Sequence, residues 1–125
     1  MEILEERRKE RQRRIKLARE FVEEVADSIG PLTAVVIGST SRGDFNAWSD
    51  IDVVIISDVF DANPLKRFDL LIPFIKPGIE PIPLRTVDVY RLAEKKAPVV
   101  KEIVEGIVIR DDLGIIKKLK IFLKE

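Results

Sequence analysis

The sequence predicts an α/β (α+β) domain: a small mixed β-sheet flanked by helices. Three observations predict it. LTAVVI, Leu32 to Ile37, and IDVVIIS, Ile51 to Ser57, are short runs dominated by β-branched residues. Segments with helical spacing lie before, between and after the strand-like runs, in the order α-β-loop-β-α-β-α-β-α. The chain has 125 residues, 46% of them apolar, which suits one domain with a modest core.

Residues 2–29 form one helix, because Ile15, Ala18, Phe21, Val22, Val25, Ala26 and Ile29 recur at helical spacing before Gly30 and Pro31 stop it. The part before Ile15 has almost no apolar stripe, so residues 1–14 are expected to project as a basic helical extension or to meet a partner. Leu32 to Ile37 is the first strand. Ser39 to Ser49 is a polar loop or short helical turn. Ile51 to Ser57, apolar on both faces, is a central strand. Pro64 suits the first turn of a helix covering Leu65 to Phe74, which Pro73 bends or ends. Lys76 to Pro83 is a loop or loosely extended segment. TVDVYRL, Thr86 to Leu92, alternates and predicts a third strand. Ala93 to Glu105 is helical with Pro98 early in it, and Gly106 ends it. Ile107 to Arg110 is an edge strand. Gly114 to Lys124 closes the chain as an amphipathic helix whose apolar face is core or a self-association surface.

Composition excludes several chemistries. The 22 basic and 22 acidic residues cancel, so net charge makes no case for a nucleic-acid or membrane partner. The sequence contains neither cysteine nor histidine. Disulfides, Cys/His zinc sites and His-based triads are therefore ruled out. A protein-bound metal would be held by oxygen, which favours Mg²⁺, Mn²⁺ or Ca²⁺. MEILEERRKERQRRIK carries no apolar stretch of the secretory kind, and no run approaches a membrane span. The expected location is the cytoplasm.

The chemistry concentrates in GSTSRGDFNAWSDIDVVI, Gly38 to Ile55. Asp50 and Asp52 stand two apart at the start of a strand and so share a face. As ordinary strand-edge carboxylates they would pair with Arg and bound a turn. As a metal cradle they would share a divalent cation that removes their repulsion. Gly38 allows a bulky group close to the backbone, Ser39 adds a hydroxyl, and Arg42 offers a cation suited to phosphate. Phosphate contacts at one strand end and metal ligands at the next are what a nucleoside triphosphate with Mg²⁺ requires.

Gly38-Ser39, ten intervening residues, then Asp50-Ile51-Asp52-Val53 resembles the signature of the DNA polymerase beta-like nucleotidyltransferase superfamily, in its minimal, single-domain form. Thr40 and Ser41 stand where that minimal form often has Arg and Ala. The resemblance implies the nucleotidyltransferase fold and two Mg²⁺ ions (Mn²⁺ in their place) held by Asp50, Asp52 and a third carboxylate. Asp88 in TVDVYRL is the expected third ligand, with Glu80, in a proline-punctuated segment, as the fallback. Gly38, Ser39 and Arg42 would contact the nucleotide. The implied reaction moves a nucleoside monophosphate, AMP from ATP, to a hydroxyl. The implied setting is that of an antitoxin whose acceptor is a tyrosine on a helical HEPN-type toxin, or of a homodimer that completes the cleft. The alternatives are a non-catalytic nucleotide- or partner-binding module, and a transferase that contacts RNA through its basic first helix. Arg42-Gly43-Asp44 spells an adhesion tripeptide by coincidence. Trp48 is a packed or surface aromatic, or a base-stacking platform. Tyr90 is expected to line the cleft, or to pack in the core or at the rim.

Overall fold

The computed structural model describes residues 2–124. Helix α1 spans Glu2–Ile29 and buries Ala18, Phe21, Val22, Val25 and Ala26 on one stripe. Strands β1 (Thr33–Ile37), β2 (Ile51–Ile56), β3 (Ile79–Leu84) and β4 (Ile107–Asp111) make one sheet in the order β3-β2-β1-β4. β1 is antiparallel to both β2 and β4, whereas β2 and β3 run parallel. β1 and β2 are central, as their two-sided apolar character requires.

The sheet separates two cores. On one face Ala34, Val36, Val53 and Ile55 pack under the α1 stripe. On the other face Val35, Ile37, Val54 and Ile56 pack under α3 (Thr86–Glu94), α4 (Pro98–Glu105) and α5 (Ile115–Lys124). The α5 face offered as core or self-association surface is divided: Ile115, Ile116 and Leu119 are buried, while Ile121 and Leu123 are exposed. A short helix α2, Gly38–Arg42, occupies the start of the segment expected as loop or helical turn.

Four expectations about the elements are corrected. Thr86 to Leu92 is helix, not strand. Asp88 in its first turn accepts the Arg85 backbone N–H at 2.9 Å, and Asp58 accepts both the N–H and the hydroxyl of Thr86. These side-chain acceptors satisfy the free N–H groups of a helix start, and that outweighs the alternating pattern. The third strand is instead Ile79–Leu84, in the segment read as a loop. Two prolines fit there because β3 lies at the sheet edge. Its even positions face β2, with Gly78 and Leu84 carbonyls accepting from Ile51 and Ser57, so Pro81 and Pro83 fall on the outward side where no ladder donor is needed. Finally, the helix expected over Leu65 to Phe74 is two 3₁₀ turns, Pro64–Leu70 and Ile72–Phe74, and the one over Ala93 to Glu105 is split by a break before Pro98.

The described part of the basic extension, Glu2 to Arg14, does not simply project. It is the start of α1 and lays Arg7, Arg11 and Arg14 along α2 and the segment that joins it to β2. Among the described residues no helix is long and apolar enough to cross a membrane.

Candidate active site

β1 and β2 set the site's frame. Ile37 is the register partner of Asp52, so α2 begins directly beside that carboxylate. Gly38 makes the closest approach: its φ is 72°, and a Cβ added there would lie 2.6 Å from Asp52 Oδ2. Only glycine suits both the left-handed backbone and the space. Across the sheet, Asp52 is in register with Glu80 of β3, and register partners in a sheet project from the same face. Asp50 has the same parity as Asp52 and stands exposed just before β2. Asp52 and Glu80 therefore project from the face covered by α4, while Asp50 precedes the strand at its end.

The electrostatics are one-sided. Burial pushes the Asp52 carboxyl above its ordinary pKa, and the charges of Glu80, Asp50 and Glu102 push it the same way; Arg42 opposes them. Arg42 is itself shared with two acids, bonding Asp44 at 3.2 Å and Glu102 at 3.3 Å. A pocket of about 140 Å³ opens beside this pair, lined by Gly38, Ser41, Arg42, Glu102 and Glu105. Carboxylate oxygens alone, short of positive charge, form a donor set that fits a hard divalent cation. Among the described residues no three acidic side chains converge tightly enough to form a finished metal cage.

The structure brings Gly38, Ser39, Arg42, Asp50 and Asp52 to one end of the sheet. It does not bring Asp88 there. Asp88 follows β3, whose last residue Leu84 pairs with Ile56, four residues beyond Asp52 and about 13 Å along the strand. Its carboxylate is occupied, with Arg67 Nη1 at 2.8 Å as well as the Arg85 N–H. Burial pushes its pKa up, but those two partners outweigh burial and leave it lowered. Of the places open to Tyr90, the core is the one it takes: it packs against the cluster beneath α3.

Glu80, the fallback, takes the position expected of Asp88. Its signal in the sequence is the I-E-P-I-P-L alternation, which the two prolines obscure. Glu102 of α4 had no sequence signal, since its helix had to be placed over the sheet first. Trp48 is 92% exposed at the rim of a groove of about 220 Å³ that Asp50, Arg13, Leu17 and Gly78 also line.

The first helix contributes more than a charged surface. Arg7, Arg11 and Arg14 recur at i, i+4 and i+7 and so form one ridge. Arg7 donates to the carbonyls of Gly43 and Phe45, and Arg11 to those of Thr40 and Ser41. Arg14 donates to Asn46 and Ser49 carbonyls at 2.9 and 2.8 Å.

Comparison with known proteins bears on the fold and the family. Residues 15–124 match the family model described as a nucleotidyltransferase domain. Among solved structures, a candidate nucleotidyltransferase from Sulfolobus solfataricus is 32% identical, with a TM-score of 0.61 over 68% of this chain and 78% of its own. No curated protein matches the chain.

Proposed function

The chain belongs to the nucleotidyltransferase domain family, and from that premise we propose that it transfers AMP from ATP to a hydroxyl acceptor with divalent metal. The observation that carries this reading is the packing of Gly38 against Asp52, which joins the expected phosphate turn to the expected metal ligand in one unit.

In this reading Asp50, Asp52 and Glu80 hold the metal, Mg²⁺ or Mn²⁺. Bound metal would neutralise the triphosphate and lower the pKa of the acceptor hydroxyl. The chain's own groups supply the rest. Gly38 leaves room for a phosphate against the backbone, Ser39 donates a hydroxyl hydrogen bond, and Arg42 turns from Glu102 toward the phosphates. Glu80 lies at the sheet edge, exposed, where it can receive the acceptor's proton. The acceptor oxygen bonds to the α-phosphorus and the bridging oxygen to the β-phosphorus departs with pyrophosphate, Ser39 and Arg42 holding the phosphates in place.

The acceptor is proposed to come from outside the domain. The sequence resemblance points to a hydroxyl on a HEPN-type helical partner, or to a second copy of this chain. The test is pyrophosphate release from ATP with Mg²⁺ or Mn²⁺, together with labelled AMP on a co-purified protein. Transfer that survives Asp52→Asn would refute the assignment. A second reading, nucleotide binding without transfer, rests on the Arg42–Glu102 pairing, which occupies the cation expected to serve the phosphates. Nucleotide binding with no pyrophosphate release, across acceptors, would select it.

A further inference from the structure

Arg14 is 3% exposed, and a buried cation needs strong partners. Its one carboxylate neighbour is Glu10, with Nε to Oε1 at 3.5 Å. Its other contacts are the Asn46 and Ser49 carbonyls, the Thr40 hydroxyl at 3.4 Å and the face of Phe45, whose ring centroid is 4.6 Å away. These contacts have a pattern. Thr40 immediately follows Ser39, and Ser49 immediately precedes Asp50. One guanidinium therefore spans both ends of the segment that separates the phosphate turn from the metal carboxylates.

The span between those ends is also held. Asn46 and Ser49 close a tight turn, with Ser49 N–H on the Asn46 carbonyl, Asn46 N–H on Ser49 Oγ and Trp48 N–H on Asn46 Oδ1. Arg14 grips that turn from below at both of its ends. Arg7 and Arg11 take the carbonyls of Thr40, Ser41, Gly43 and Phe45. All three arginines precede the residues that match the family model.

We infer that Arg14 is a positioning residue of the transferase site, fixing the Gly38–Thr40 turn relative to Asp50 and Asp52. In this role it acts through the backbone carbonyls it holds rather than on substrate or metal. Its planar fork reaches two carbonyls from separate nitrogens, which a lysine ammonium does not reproduce. The inference rests on the transferase reading above.

The test compares Arg14→Met, Arg14→Lys and, as a control, Arg8→Met, an exposed site on the same helix. Trp48 is the chain's single tryptophan and sits between the two carbonyl anchors, so its fluorescence anisotropy reports whether the segment is held. Calorimetry with Mn²⁺ and a non-hydrolysable ATP analogue reports whether the two motifs still act together. For both Arg14 variants the expected result is native circular dichroism, lower Trp48 anisotropy and at least tenfold weaker Mn²⁺–nucleotide binding, with Arg8→Met unchanged. A folded Arg14→Met with wild-type anisotropy and affinity overturns the inference. If Arg14→Met does not fold, Arg14→Lys decides by the same two readouts. Wild-type protein that binds no Mn²⁺–nucleotide removes the transferase reading instead, and the anisotropy comparison still decides whether Arg14 orders the segment.

Discussion

Gly38→Ala puts the central geometric claim at risk. The added methyl would sit 2.6 Å from Asp52 Oδ2, on a backbone with φ of 72°. The shortest ordinary carbon–oxygen approaches are about 3.3 Å, so the carboxylate must retreat by about 0.7 Å. The left-handed backbone adds a cost of about 1–2 kcal/mol. For a domain of this size that lowers the melting temperature by about 3–10 °C. A displacement approaching 1 Å at a reacting centre is associated with losses on the order of 10²-fold. Gly30→Ala supplies the comparison: its φ is 88° and nothing lies within 4 Å of the added methyl, so it carries similar strain without touching the site. Melting curves should show both variants destabilised to a similar degree. Pyrophosphate release should fall about a hundredfold in Gly38→Ala and remain near wild type in Gly30→Ala. Equal activity in the two variants would refute the view that the turn and Asp52 form one unit.

Asp52 carries a pH prediction for the metal-free protein. Its folded pKa is raised, first by burial and then by Glu80, Asp50 and Glu102, so the folded state keeps a proton that the unfolded chain has lost. That contribution is most favourable below the unfolded pKa and is lost as pH rises through the folded one. Asp52→Asn should flatten this slope in melting temperature measured between roughly pH 4 and 7, and should abolish stabilisation by Mg²⁺. Glu80→Gln and Asp88→Asn should separate chemistry from architecture. The first should lower transfer at least tenfold with little change in stability, and the second should cost about 2 kcal/mol in denaturant titration, with activity per folded molecule retained. Gly106→Ala would press a methyl to 2.5 Å from Val35 Cγ1 and 2.6 Å from the Val36 carbonyl oxygen, so it should destabilise by about 3 kcal/mol or more or prevent folding.

Much of this arrangement was legible in the residues. The apolar stripe of α1, the β-branched runs of β1 and β2 and the Gly-Ser-to-Asp-x-Asp spacing all depend on local periodicity, which a sequence displays directly. The third carboxylate was not legible in the same way. Thr86 to Leu92 alternates like a strand, yet Asp88 and Asp58 cap a helix start there, and Asp58 lies 28 residues away from Thr86. Ile79 to Leu84 contains two prolines, which are prohibitive in a central strand and harmless at an edge, and edge status is a property of the assembled sheet. The arginine ridge looked like a solvated charge run because its partners are backbone carbonyls, which leave no mark in composition.

The outer margin of β3 has a consequence for assembly. Its outward positions are Ile79, Pro81 and Pro83; the Ile79 amide is spent on the Lys76 carbonyl, neither proline has an amide hydrogen, and the Pro83 carbonyl is held by Arg67. A newcomer strand would find no donor along that border, so the sheet cannot be extended through it. The flank that bears Glu80 stays clear of intermolecular ribbon growth, and any lateral pairing between copies is confined to β4.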